Sequence, residues 1–191
     1  PLEHCLSGSD EATLRHIVMV LGEMTNDRPE ALLQRMGRHP SGAVRETAVR
    51  TLLAKSAPPA GTIMNYLGDD HPGVRNISLD HVSRARNPEL ETALRDYVES
   101  GAGADQGDEH LLRCYRALGK CGSQASVPFL GETLLSRSTG GLLRISANAH
   151  RQGAALALKH LPGNQARQLL EKASKSLFPA IRNAYRKAVT V

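Results

Sequence analysis

Residues 69–82 read DDHPGVRNISLDHV: two acids, then His71-Pro72-Gly73, then Val74-Arg75 and a run carrying Ile77, Leu79 and Val82. Proline is tolerated at the first position of a helix, where its missing N–H has no intrahelical partner to lose. The stretch therefore reads as a polar turn that closes one helix and opens another. The same order of residues recurs along the chain. HPSGAVRETAVRTLLA occupies 39–54, AHRQGAALALKHL occupies 149–161 and FPAIRNAYRKAV occupies 178–189. With Arg45, Arg75, Arg151 and Arg182 aligned, the third residue on is Ala48, Ser78, Ala154 or Tyr185, and the seventh is Leu52, Val82, Leu158 or Val189. The interval is 30 residues from Arg45 to Arg75 and 31 from Arg151 to Arg182. The 76 residues between Arg75 and Arg151 leave room for a further copy, EHLLRCYRALGKCG at 109–122, near Arg113. ATLRHIVMVLGEM at 12–24, near Arg15, makes a sixth; in these two the arginine is displaced by one or two positions.

A period of roughly 30 to 40 residues is the mark of a solenoid built from helical pairs. Each copy is expected to hold a first helix, a short polar turn and a second helix that begins at the arginine. The first helices are expected near 28–38, 59–68, 88–100, 124–136 and 164–175. Leu90, Leu94 and Val98 recur every four residues, one stripe of a helix, and Val127, Leu130, Leu134 and Leu135 do the same. Asp70 and Asp108 precede expected helix starts, where a carboxylate caps free N–H groups and meets the positive end of the helix dipole. No segment alternates as a strand would. A single pair cannot bury its apolar face alone, but stacked pairs can. The expected architecture is all-α: an α-solenoid of about six stacked helical hairpins, in units near 1–24, 28–55, 59–85, 87–121, 124–161 and 163–191.

Composition agrees with that reading. The chain has 191 residues, 40% of them hydrophobic but only 3% aromatic, so the core is built from Ala, Leu, Val and Ile. Such side chains suit close-packed helices more than sheets. No apolar run approaches the ~18 residues that span a bilayer. The chain opens on Pro1, without a signal peptide, and is expected to be a fragment of a longer protein. Its three cysteines, Cys5, Cys114 and Cys121, imply no disulfide framework. Cys114 and Cys121 share a helical face but stand roughly 10 Å apart along it, too far for a disulfide. Buried free thiols and a cytoplasmic setting are expected.

The runs HPGVRNISLDHV, VRETAVRTLLA and RQGAALALKHL resemble HEAT repeats, of the short bacterial type also found in phycobilisome lyases. The resemblance covers nearly the whole chain and implies a single HEAT-like repeat domain over 1–191. Repeat folds host many functions, so it implies little about activity. Two roles are open to Arg45, Arg75, Arg151 and Arg182. They form a phosphate-binding ladder, or each guanidinium fork joins neighbouring units through carboxylates and helix-end carbonyls. Recurrence in every unit, and the family resemblance, favour the structural role.

Charge is distributed unevenly. Residues 1–136 carry 14 Lys/Arg against 18 Asp/Glu, net −4, whereas 137–191 carry 10 against one, Glu171, net +9. A field of that sign attracts an acidic protein, nucleic acid or an anionic surface. With no Trp, two Phe and four Tyr, stacking on splayed bases is poorly supported, while duplex backbone contact needs no aromatics. In solenoids of the resembled type the second helices line a concave face. That implies candidate partner-binding positions at Glu46, Arg50, Asn76, Asp80, Tyr115, Arg116, Gln152, Asn183 and Lys187, with Lys172, Lys175 and Arg186 supplying basic charge.

Motifs for chemistry are missing. Eight histidines invite a metal search, but there is no CxxC, no HExxH and no His-Glu pair of the kind used by HEAT-repeat iron hydroxylases. No GxSxG elbow occurs, and the glycines of GAGADQGD at 101–108 make no phosphate cradle; that stretch is expected to be a flexible linker. A second loop, RSTGGLLRISAN at 137–148, sets Leu142, Leu143 and Ile145 beside Arg137 and Arg144. The expected function is a non-catalytic protein-interaction scaffold without cofactor or metal, its basic C-terminal part steering an acidic partner. One alternative is a nucleic-acid binder related to HEAT-like DNA-repair proteins, although those line their lesion site with Trp. Another is a lyase or chaperone-like subunit related to the phycobilin lyases.

Overall fold

The computed structural model describes residues 10–24, 28–56, 58–136 and 147–190. All regular elements among them are helical. In chain order they are α1 (Glu11–Glu23), α2 (Arg28–Met36), α3 (Gly42–Lys55), α4 (Ala60–Leu67), α5 (Pro72–Arg84), α6 (Pro88–Ser100), α7 (Gly107–Cys121), α8 (Val127–Leu135), α9 (Ala147–His160), α10 (Asn164–Ser174) and α11 (Pro179–Val189). Short 3₁₀ turns, Ala104–Gln106 and Gln124–Ser126, precede α7 and α8. The chain forms two compact units, Pro1–Ser78 and Leu79–Val191. The part of the loop around Arg137, Leu142, Leu143, Arg144 and Ile145 lies outside the described residues, as does Cys5.

Helix starts follow local chemistry. Asp10 Oδ1 accepts from the Thr13 amide at 2.8 Å, and Asn87 caps α6 by accepting from the Glu89 amide at 2.8 Å. Pro72, Pro88 and Pro179 occupy first helical positions. The second helices do not begin at the repeat arginines. They open three or four residues earlier, at Gly42, Pro72, Ala147 and Pro179, which puts each arginine on the first turn. Nor does Asp70 cap α5: its carboxylate pairs with Arg45, while Asp69 Oδ1 accepts from the His71 amide at 2.7 Å within the preceding turn. Asp108 lies inside the first turn of α7. The glycine-rich 101–108 stretch is an ordered connection. Gly101 takes φ 72° at the end of α6, a left-handed cap that glycine adopts without steric cost, and Gly107 already opens α7.

In the first unit the core is Leu14, Val18, Leu21, Leu33, Met36, Val44, Ala48 and Leu52. Helices α1 and α3 run parallel: Arg15 Nε donates to Thr47 Oγ1 at 3.3 Å, and further along Lys55 Nζ donates to the Gly22 carbonyl at 2.6 Å. The lysine thereby caps the carbonyl end of α1, where positive charge is favoured.

In the second unit α6 and α7 form an antiparallel hairpin. Tyr97 near the end of α6 meets His110 at the start of α7 (3.2 Å, Oη to Nε2), while Glu91 near the start of α6 reaches Ser123 beyond α7. Helices α7 and α9 then run parallel. The Tyr115 ring lies against Gly153, and one turn on, a Cβ at Gly119 would stand 2.8 Å from the Ala157 backbone. Helix α11 continues the series: Lys159 Nζ donates to the Ala188 carbonyl at 3.3 Å. Parallel neighbours separated by an intervening helix are what a repeated helix–turn–helix unit produces.

The stripes Leu90, Leu94, Val98 and Val127, Leu130, Leu134 are buried as their spacing predicts, whereas Leu135 is only half-buried. At the alignment positions, Ala48, Ser78, Ala154, Leu52, Val82 and Leu158 are buried too. The last copy departs from the pattern. Val189 is 48% exposed, and α11 buries Ile181, Ala184 and Ala188 instead. Its inward face is therefore rotated by one residue, and small alanines set the close approach to α9.

Candidate basic interaction face

The repeat arginines are fixed in the fold. Arg45 donates from Nε and Nη2 to the two oxygens of Asp69, each at 2.8 Å, pairs also with Asp70, and donates from Nη1 to the His39 and Pro40 carbonyls at 2.9 and 2.8 Å. Arg75, buried, donates to the Asp69 and Asp70 carbonyls at 2.6 and 2.9 Å. Arg182 donates to the Ser176 carbonyl at 2.6 Å, and the buried Arg151 to that of Ser136 at 3.1 Å. In three of them the guanidinium reaches back to the carbonyl six residues earlier, across the turn. An arginine on the first helical turn thus fastens the loop that precedes it. Arg113 in the weaker copy makes an exposed i,i+4 pair with Glu109 at 2.9 Å.

Of the positions expected to meet a partner, Tyr115 is not available. It is fully buried between α7 and α9, its Oη 2.9 Å from His150 Nδ1 and the two rings edge to face at 5.8 Å. The repeat assigns helix faces, not the depth of a neighbour, so spacing alone sets Tyr115 outward; Gly153 supplies the space for its ring. Arg50 is exposed and paired with Glu46 at 2.8 Å, and Asn76 is half-buried on α5, both in the first unit. In the second unit four candidates come together. Gln152 of α9 and Asn183, Arg186 and Lys187 of α11 line a groove of about 430 Å³ with Asn148, Ala180 and Ala184. Lys172 and Lys175 are exposed on and just after α10, outside that groove, and Lys175 is held by Glu171 at 2.6 Å.

Other residues extend the charge of this groove across α9 to α7. Arg116 and Lys120 are exposed one turn apart on α7, and Lys159 and His160 are exposed at the end of α9. Burial first, then the charges of Lys159, Lys120 and Arg116, hold the His160 imidazole below the ordinary histidine value. All three cations lie near enough for their charges to act on the one imidazole. Among the described residues, no carboxylate pairs with Arg116, Lys120, Arg186 or Lys187. Lys120 lies outside the basic stretch 137–191, and the helical spacing of Arg116 and Lys120 on α7 is the sequence signal that marks it.

No family model matches the chain, and no curated protein sequence matches it significantly.

The remaining polar clusters are inward-facing. His110, buried, has Nε2 3.2 Å from Tyr97 Oη and 3.7 Å from Cys114 Sγ. Cys114 and Cys121 are free thiols, and burial, with Glu91 second, pushes Cys121 up to about 11. A thiol so held is protonated at neutral pH and is a poor nucleophile. Among the described residues, no three His, Cys, Asp or Glu side chains gather as a metal site would require, and no helix is long and apolar enough to cross a membrane.

Proposed function

We propose that the chain is a HEAT-type module, an α-solenoid of about six stacked hairpins, that binds an acidic protein partner on the face of α7, α9 and α11 without catalysis, in the cytoplasm. The parallel run of second helices and the arginine that fastens each turn support the repeat reading. The observation that carries the function is the row Arg116, Lys120, Lys159, His160, Arg186 and Lys187, which lacks a facing carboxylate. Uncompensated charge on a rigid helical surface attracts an opposite field, speeds encounter and sets orientation.

Duplex nucleic acid is the second reading, because the same row contacts phosphates without aromatics. Fluorescence anisotropy separates them. Labelled decaglutamate and a labelled DNA duplex are titrated with the chain at several salt concentrations. The acidic-partner reading expects decaglutamate to bind and weaken as salt rises. Tight duplex binding with a steep salt slope, and none to decaglutamate, transfers the face to nucleic acid. Failure of both at low salt removes the reading.

A further inference from the structure

A cleft of about 510 Å³ lies where the start of α6 and the ends of α7 and α9 converge, and it shares Lys120 and His160 with the basic face. Its floor is built around a buried acidic side chain. Glu91, 7% exposed, accepts on Oε1 from the Ser123 amide at 2.8 Å, from Ser123 Oγ at 3.1 Å and from Ser126 Oγ at 2.6 Å. Three donors on one oxygen fix the turn between α7 and α8, and Glu91 Oε2 has no donor among the described residues. Oε2 is not among the fully buried polar atoms and stays open to accept a hydrogen bond from outside the fold. Around the rim stand Arg86, Arg95, Lys120 and His160. Arg95 is 3.5 Å from Asp96; Arg86 and Lys120 have no acidic partner among the described residues. Between floor and rim the wall is largely apolar, from Pro88, the Thr92 methyl, Cys121, Ala125 and Pro162. Cys121 belongs to that wall as a neutral thiol.

We infer that this cleft takes a short peptide segment of the partner in which an apolar residue is flanked by acidic ones. The chemistry has three parts. Carboxylates of the segment meet Arg86, Lys120 and Arg95. A backbone N–H of the segment donates to Glu91 Oε2. The apolar side chain rests on the wall, removing surface from water. The inference rests on the acidic-partner reading and adds selectivity to it: the helical face supplies charge attraction, and the cleft supplies discrimination among acidic sequences.

Two labelled pentapeptides of equal charge test it, Glu-Glu-Leu-Glu-Glu and Glu-Glu-Ser-Glu-Glu, by anisotropy at one salt concentration. The chain is expected to bind the leucine peptide about 10-fold more tightly or better, the lower end of the range for an apolar group gaining a pocket. Thr92→Trp, at an exposed position that fills the cleft without altering charge, abolishes the preference. Arg86→Ala, also exposed, weakens both peptides and tests the rim should the tryptophan disturb folding. Arg186→Glu with Lys187→Glu, outside the cleft, weakens both peptides and keeps their ratio. Equal affinity for the two peptides, or a preference that survives Thr92→Trp, overturns the cleft while leaving the face intact. Affinities for both peptides that are unchanged by Arg186→Glu with Lys187→Glu, with the leucine preference intact, uphold the cleft and overturn the face. Absence of binding to either peptide overturns both.

Discussion

Arg45 and Asp69 are both largely buried, with side-chain exposures of 12% and 13%, and their contacts set what each contributes. Burial pushes the Asp69 carboxyl up, but the donors from Arg45 and the His71 amide outweigh it and hold it below the ordinary aspartate value. Removing one partner of such a pair strands the other, so Arg45→Ala is expected to cost about 3 kcal/mol. Arg50→Ala breaks only an exposed i,i+4 pair and is expected to cost about 0.5 kcal/mol or less. Urea melts of the two variants check the contrast, and equal costs would place the repeat arginines outside the stability of the turns. Histidine sets a pH dependence at the same scale. His81, His150 and His160 are each held below the ordinary histidine value, first by burial. The unfolded chain therefore binds protons that the folded chain refuses. Stability from these groups is complete above about pH 6.5, and is lost as pH falls through the lower folded values. The melting temperature is expected to drop by a few degrees from pH 7.5 to pH 5, with a shallower drop in His150→Gln. A melting temperature that rises on acidification over that range contradicts the assignment.

At the scale of elements, small residues decide how closely parallel helices approach. A Cβ at Gly153 would overlap the Tyr115 ring, which has no room to move because it is fully buried. Gly153→Ala is expected to destabilise by about 2 kcal/mol through overpacking. Adding Tyr115→Leu should recover part of that loss, a non-additivity that residues in contact show. Additive losses in chemical denaturation would mean that the ring does not bear on Gly153. Much of this level is legible in the sequence. Helices α2, α4, α6, α8 and α10 lie within a few residues of the expected first helices, because proline, the turn acids and the apolar spacing are local signals. What is not legible is depth. Tyr115 carries an amphipathic side chain at a repeat position that elsewhere faces outward, and its burial depends on Gly153 and His150, far along the chain. In α11 the same limit appears as a one-residue rotation, since Ala184 and Ala188 pack where the alignment expects Tyr185 and Val189.

At the scale of the whole molecule, charge is the property that distinguishes function from folding. The sequence shows the basic excess of residues 137–191 plainly but spreads it over every helix there. The structure divides it. Arg151 and Arg182 donate to carbonyls of the fold, and Lys175 pairs with Glu171. Arg186 and Lys187 face a groove, and the row continues onto α7 through Arg116 and Lys120 from the acidic part of the chain. A function that depended on net charge alone would not notice this division. A function that depends on the face does. Two variants with opposite placement separate the cases. Arg116→Glu, Lys120→Glu, Arg186→Glu and Lys187→Glu together reverse the face. Lys172→Glu and Lys175→Glu reverse α10 and its end, paired with a further two exposed lysine or arginine reversals off the face, such as Arg167→Glu and Arg84→Glu, to match the charge change. Affinity for labelled decaglutamate, measured by anisotropy at low salt, is the decisive reading. The account predicts a loss of tenfold or more for the face variant and a much smaller change for its charge-matched control. Equal losses in both would show that bulk charge, and not the face of α7, α9 and α11, draws the partner.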